Sequence, residues 1–269
     1  MNILPEWRDG TDGCVNRLSV TCLKIKNILG GNGQFIFVNT VPKSGSTFLR
    51  NSLLELTGYQ RAHMVSGYQD NEQDLYLPRI IDTIGKNIVV HQHTKGTERN
   101  IAILSGLSVR PVIHLRNIYD CIVSLRDHFD SSDHPRMFFA HIDRNYKTLE
   151  EKQKLDLLVD FATPWYISFY VSWYEAERRG EVDLLWTTYE ELIENKKLLI
   201  ERILKWYGLE RCIPNIDSAI SVVSKKRSSN RYNKGVSGRG EYMLSDSQKE
   251  RIRSMANYYP KVDFGRLGL

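Results

Sequence analysis

Long apolar runs are missing from this chain. None approaches the roughly 20 residues that a membrane-spanning helix needs, so the expectation is a protein without a span. Cysteine is scarce: Cys14, Cys22, Cys121 and Cys212 are four in 269 residues, with no C-x-x-C spacing. That excludes a disulfide framework and a cysteine zinc site. The opening "MNILPEWRDGTDGCVNRL" lacks the basic-then-apolar layout of a secretory signal, and the expected location is cytoplasmic. There is no internal repeat, low-complexity tract or linker. Excess charge is small, a net +5, and no recognition-helix, zinc-finger or RNA-binding signature accompanies it. Nucleic acid is therefore not an expected partner. Nothing in the sequence sets an oligomeric state.

Also missing is the triplet Gly-Lys-Ser/Thr, and with it the nucleoside-triphosphate loop G-x-x-x-x-G-K-S/T. What stands in the corresponding place is "FVNTVPKSGSTFLRNSLLEL". Phe35, Ile36, Phe37 and Val38 form a short continuous apolar run, the pattern of a buried strand. Beyond it, Phe48, Leu49, Leu53, Leu54 and Leu56 recur at helical spacing, and Gly58 is a stop signal. Strand, tight polar loop and helix in this order aim unpaired backbone N–H groups and a helix N-terminus at one spot, which suits a phosphate. Lys43 adds a mobile charge, and Ser44, Ser46 and Thr47 add hydroxyls beside Gly45. A polar connecting loop that binds nothing is the plain alternative.

Further strands are expected at "NIVVHQH" from Asn87, "VIHLR" from Val112 and "VDLLWT" from Val182. Helix starts are marked by capping boxes at Thr148–Glu151, Thr188–Glu191 and Ser245–Gln248. Thr163 followed by Pro164 reads as a cap and first helical residue opening "WYISFYVSWYEAERR", whose aromatics suit core packing. The second box opens a helix with Leu192, Leu199, Ile203 and Trp206 on one face, ending at Gly208. Residues 61–78 and 126–147 read as long irregular loops, the kind that bind substrate, act as lids or stay disordered, and the expected acceptor pocket is built from them. Strands alternating with helices imply one α/β domain, a parallel central sheet flanked by helices, with ligands bound where strands end.

Two more stretches carry chemistry. In "LRNIYDCIVSLRDHF", Arg116 ends a strand and Ser124 lies two turns along the following helix; a surface arginine and a helix serine are the alternative. Asn117 and Asp120 are turn and cap types. In "SNRYNKGVSGRGEYML", glycines interleave with Arg231, Lys234 and Arg239 as a flexible basic loop, either a flap over an anion or a solvated linker.

Together these stretches resemble the sulfotransferases that use 3′-phosphoadenosine 5′-phosphosulfate (PAPS). "VPKSGSTFL" is similar to the family's 5′-phosphosulfate loop, Y-P-K-S/A-G-T/S-T-W/F, and is P-loop-like in role. "RNIYDCIVS" is similar to its 3′-phosphate motif R-N-P-x-D-x-x-x-S, with Arg116 and Ser124 at the matching ends and Ile118 in place of proline. "TTYEELIENKKLLIERILKWYGL" is similar to the family's Y-E-D/E-L stretch, which puts Tyr189 near the adenine. "NKGVSGRGEYML" resembles the late R-K-G-x-x-G loop that closes on the 3′-phosphate; Asn233 replaces its arginine, and Arg239 and Gly240 replace its Asp-Trp pair.

The resemblance covers about residues 31–269 and leaves 1–30 as an N-terminal extension. It implies PAPS as cofactor, PAP as product, no required metal, and an acceptor hydroxyl on a saccharide or other small molecule. The implied nucleotide contacts are Lys43, Ser44, Gly45, Ser46, Thr47, Phe48 (where family members often have tryptophan), Arg116, Ser124, Tyr189, Arg231, Lys234 and Gly235. Lys43 faces the leaving oxygen. "NIVVHQHTKGT" aligns His93 with the family's catalytic histidine and His91 with its lysine; the base is His93 or His91, or Glu72 if the arrangement is that of the carbohydrate-acting members. His114 reads as structural. The other open readings are a P-loop nucleotide kinase or related phosphotransferase, and a non-catalytic nucleotide-binding protein.

Overall fold

The computed structural model describes residues 33–67, 72–132, 137–226 and 236–269. The expected extension 1–30 lies outside the described residues. The first strand is longer than its apolar run: β1 is Phe35–Thr40. Its side chains alternate between two cores, Phe35 and Phe37 on one face, Ile36 and Val38 on the other. A strand buried on both faces needs no polar alternation, which is why its sequence is continuous. Helix α1, Ser46–Thr57, follows, and Gly58 closes it in the left-handed conformation with its N–H on the Leu54 carbonyl.

The sheet is completed by β2 (Gln60–Ala62), β3 (Ile88–Gln92), β4 (Val112–Leu115) and β5 (Leu185–Thr188). All pairings are parallel, in the order β2-β3-β1-β4-β5. The chain leaves β1 toward one edge and returns to build the other, so the topological switch falls at β1, between β3 and β4. β5 starts three residues later than expected. Leu185 stands opposite Val112 and donates to the Pro111 carbonyl, and Pro111 has no N–H with which to extend the ladder.

Five helices complete the layers near the site: α2 (Leu77–Ile81), α3 (Glu98–Gly106), α4 (Ile118–Asp130), α5 (Glu151–Arg178) and α6 (Tyr189–Glu194). Four more follow: α7 (Lys196–Trp206), α8 (Ile216–Lys225), α9 (Arg239–Met243) and α10 (Asp246–Ala256). Side chains of α3, α4, α5 and α10 pack with Phe35 and Phe37; those of α1, α6, α7 and α8 pack with Ile36 and Val38.

Several boundaries differ from expectation. The helix expected to start at Pro164 is part of one 28-residue helix. Proline there removes the bond to the Asp160 carbonyl, but Pro164 and Asp160 both lie on the exposed face, where water can take that carbonyl. On the inner face Leu155, Leu158, Ala162, Trp165, Phe169 and Trp173 continue without a break. The box expected at Thr148 forms two residues later, with the Glu150 N–H donating to Gln153. The boxes at Thr188 and Ser245 form as expected. The long helix after Thr188 is two helices, because the Asn195 side chain caps a new one by accepting from Leu198 N. Residues 126–130, expected irregular, extend α4: Leu125 and Phe129 prolong the apolar stripe of Ile118, Cys121 and Ile122. Residues 239–243, expected in a flexible loop, are helical. Among the described residues no helix is long and apolar enough to cross a membrane, and no group of three His, Cys, Asp or Glu could hold a metal.

Candidate active site

Residues 41–45 turn between β1 and α1, and every carbonyl of the turn is taken by the protein. Ser44 Oγ donates to the Val41 carbonyl at 2.8 Å, and Tyr166 OH to Pro42 at 2.8 Å. Arg116 Nη1 donates to Lys43 at 2.8 Å, and His114 Nε2 to Ser44 at 2.9 Å. The Gly45 carbonyl takes the first helical N–H groups, those of Phe48 and Leu49. With the carbonyls turned into the protein, the N–H groups of Ser44, Gly45, Ser46 and Thr47 have no hydrogen-bond acceptor among the described residues. They meet the positive end of α1.

The turn has a backbone cost. Lys43 has φ 69° and Gly45 φ 79°, both left-handed. For Lys43 this is uncommon conformational territory, and the Arg116 bond to its carbonyl holds it there. Glycine is required at 45 twice over: a Cβ would also come 3.0 Å from the Tyr189 ring. His114 is structural, as expected. The Ser44 carbonyl can only accept, so the proton sits on Nε2 and Thr187 donates to Nδ1 at 2.9 Å. Burial holds its pKa down at about 4, which keeps it neutral.

Arg116, nearly buried, follows β4 directly. Besides Lys43 it donates to the Val236 carbonyl at 3.1 Å, pairs with Asp120 at 3.7 Å, and lies over the Tyr189 ring at 4.0 Å. Its Nε is buried with no partner among the described residues. The structure thus joins Lys43, Gly45, Arg116 and Tyr189 in one cluster. Phe48 is buried in the core that contains Tyr189. Ser124 is buried on α4, with no hydrogen bond to Arg116 among the described residues. Arg231, Lys234 and Gly235 lie outside the described residues. Arg239 is not part of the cluster: it pairs with Asp127 at 2.7 Å, and that bond raises its pKa.

A second group lies one residue upstream of the loop. His93 Nδ1 donates to the Thr40 carbonyl at 2.7 Å. A carbonyl only accepts, so the proton is on Nδ1 and Nε2 carries the lone pair. The Thr40 hydroxyl sits 3.2 Å from both His93 Nδ1 and His91 Nε2. Burial lowers the His93 pKa to about 4, and burial plus the neighbouring His93 holds His91 well below its usual value. Both rings are neutral at pH 7.

The backbone around His93 is pinned by buried amides. Asn39 exchanges hydrogen bonds with the Thr94 backbone at 2.8 Å each way, Gln73 Oε1 accepts from His93 N, and Trp173 donates to the Thr94 carbonyl. Phe138 stacks on the His93 ring, centroids 5.6 Å apart and planes 6° apart. Phe139 stacks on Trp165 at 4.9 Å. Glu72 accepts from Trp165 Nε1 at 3.1 Å and pairs with Lys95 at 3.0 Å. The two loops expected to bind acceptor therefore do meet at His93. Sequence reading did not single out Asn39, Gln73, Thr94, Phe138 or Tyr166. The clearest available signal was Asn39, a polar residue inside a strand buried on both faces. Cys121 is a free buried thiol whose pKa is raised to about 12, which removes it as a nucleophile.

The parallel five-stranded α/β sheet with an anion-suited loop at its switch point is a fold this chain shares with a solved sulfotransferase. Comparison with solved structures finds it in mouse sulfotransferase SULT7A1 complexed with PAP. The TM-score is 0.62 at 14% identity, covering 93% of this chain and 92% of that one. Retinol dehydratase in a complex with retinol and PAP matches at TM-score 0.47 and 12% identity, over 84% of this chain and 81% of that one. Comparison with protein-family models found no match, and comparison with curated proteins found none.

Proposed function

We propose that the chain is a sulfotransferase that moves a sulfuryl group from PAPS to an acceptor hydroxyl. One observation carries the reading: a single strand end holds both a neutral histidine and the anion-suited turn. Thr40, the last residue of β1, holds His93 with Nε2 as its lone-pair nitrogen, and the anion-suited turn begins at the next residue. The fit to a nucleotide bearing two phosphate groups rests on the chain itself. Among the described residues the loop presents N–H groups without acceptors, and Arg116 keeps a buried Nε without a partner. Bound PAPS would supply an activated sulfuryl group on a phosphate leaving group.

The residues then divide the work. Lys43 and the N–H groups of residues 44–47 stabilise negative charge on the leaving oxygen. Arg116 and Ser124 hold the 3′-phosphate, and Tyr189 with Phe48 faces the adenine. Thr40 fixes the His93 tautomer, and His93 Nε2 takes the acceptor hydroxyl proton. Glu72 is a weaker candidate for that role, since both of its oxygens are engaged by Lys95 and Trp165. The acceptor is a ring-bearing small molecule such as a saccharide. Phe138, Phe139 and Trp165 offer aromatic faces beside the base, and Glu72 and Lys95 offer polar groups.

Incubation with sulfur-labelled PAPS and mixed acceptors tests the reading, alongside thermal-shift titrations with PAP and with ATP plus magnesium. Label transfer and stabilisation by PAP are expected. Stabilisation by ATP with magnesium but not by PAP would favour the kinase reading. PAP binding with no transfer to any acceptor would favour a non-catalytic protein.

A further inference from the structure

Asp120 stands in the first turn of α4, but it is not used as a cap. Asn117 already caps the helix, accepting from Tyr119 N at 2.9 Å. Both Asp120 oxygens instead face residues 237–240, with the side chain only 1% exposed. Oδ1 accepts from Gly240 N at 2.7 Å; Oδ2 accepts from Gly238 N at 2.7 Å and from Ser237 Oγ at 3.2 Å. The same Oδ2 pairs with Arg116 Nη2 at 3.7 Å. The two backbones are in direct contact, since a Cβ on Gly240 would come 2.3 Å from the Tyr119 carbonyl carbon. One residue before this clamp, the Val236 carbonyl accepts from Arg116 Nη2. So Asp120 fixes Arg116 by two routes: its own carboxylate, and the backbone segment that supplies Arg116 with an acceptor.

We infer that Asp120 is a positioning residue that sets selectivity for a 3′-phosphorylated nucleotide over its 3′-hydroxyl counterpart, acting through Arg116. The inference rests on the sulfotransferase reading. Two effects of the carboxylate oppose each other. As a countercharge it weakens any anion at Arg116; as a clamp it holds the guanidinium in one pose, with Nε left for a ligand. The pairing with Arg116 is long and the bonds to Gly238 and Gly240 are short, so the clamp dominates. Asparagine in its place loses the charge and offers one oxygen to two N–H donors, its NH₂ facing the other.

Titration calorimetry with PAP and with adenosine 5′-monophosphate tests this on wild type, Asp120→Asn and Gly240→Ala. Gly240→Ala keeps the carboxylate but forces the segment off Tyr119. In both variants PAP affinity should fall about tenfold or more, while adenosine 5′-monophosphate affinity changes less than about twofold. Equal loss for both nucleotides would reduce Asp120 to a structural role and overturn the inference. Tighter PAP binding by Asp120→Asn would mean the countercharge dominates, and overturns it too. If Asp120→Asn does not fold, Gly240→Ala and Ser237→Ala decide by the same ratio. A wild type that does not prefer PAP would sink the sulfotransferase reading itself, a result distinct from a selective wild type with equally selective variants.

Discussion

The loop after β1 and the wall facing His93 are built in opposite ways. The loop is one stretch of chain, and the groups it leaves without partners among the described residues are backbone N–H. What shapes it is a set of donors from β4, α5 and the residue after β4, each taking one carbonyl. The wall is mostly side chains, those of Glu72, Gln73, His93, Lys95, Phe138, Phe139 and Trp165. A backbone site tolerates change in most of its side chains and is general for one chemical group. A side-chain site can be rebuilt by substitution, so under the proposed function it is where acceptor choice would be set. The comparison says that variants in the loop should damage transfer to every acceptor alike, and variants in the wall should not.

His93→Ala is the exception that should join the two halves, with the largest effect. Removing a general base costs roughly 10²–10⁴ in rate, and PAP affinity should stay within a few-fold. Glu72→Gln is the matched control, with a small effect expected; if it collapses the rate and His93→Ala does not, the base is Glu72. The pH profile gives a second reading. Burial puts the His93 pKa at about 4, below the reference 6.5. Nε2 is then unprotonated well above pH 4, and activity is lost only as pH falls toward that value. The rate between pH 5 and 7 should therefore be flat. A fall to half near pH 6.5 would show that the base titrates as an exposed histidine.

Lys43→Ala comes next. Loss of one charge-stabilising donor at a leaving group typically costs about 10²–10³ in turnover. The side chain is partly exposed, so the melting temperature should hold. A variant that melts like wild type and retains most of its activity would remove Lys43 from the leaving group. Arg116→Ala should weaken PAP binding by about ten- to a hundredfold, the worth of one charge-assisted contact. It should also release the Lys43 carbonyl, so turnover at saturating PAPS should fall as well. Unchanged PAP affinity would remove the 3′-phosphate site from Arg116.

Legibility in the sequence follows the same division. The strand–loop–helix at Phe35–Gly58 could be read because its signals are local: a continuous apolar run, small polar residues, a helical stripe and a terminal glycine. Capping boxes at Thr188 and Ser245 were legible for the same reason. Pro164 misled because its effect depends on which face of α5 meets water, a tertiary fact. Asn195 misled because the stripe of Leu192, Leu199 and Ile203 survives the break. Asp120 reads as a helix-start residue, and only the fold brings Gly238 and Gly240, more than a hundred residues on, to its oxygens. Phe138 carries no signal at all; its stacking on His93 needs two loops to converge.

Phe138→Ala is the smallest expected effect and the most direct test of the division. An aromatic pair contributes about 0.5–1.5 kcal/mol beyond area burial, so the KM for the acceptor should rise roughly two- to tenfold. The stacked ring also limits how far His93 can swing, but the Thr40 carbonyl holds the Nδ1 proton independently. Turnover at saturating acceptor should therefore drop less than KM rises. Neither PAP affinity nor the KM for PAPS should change, because the ring contacts of Phe138 among the described residues are with His93 and the aromatic group around Trp165. The cost should also differ among acceptors, large for ring-bearing hydroxyls and near zero for a short-chain alcohol. A uniform loss across acceptors would place Phe138 with the loop in supporting the reaction itself, and the two halves would no longer be separable.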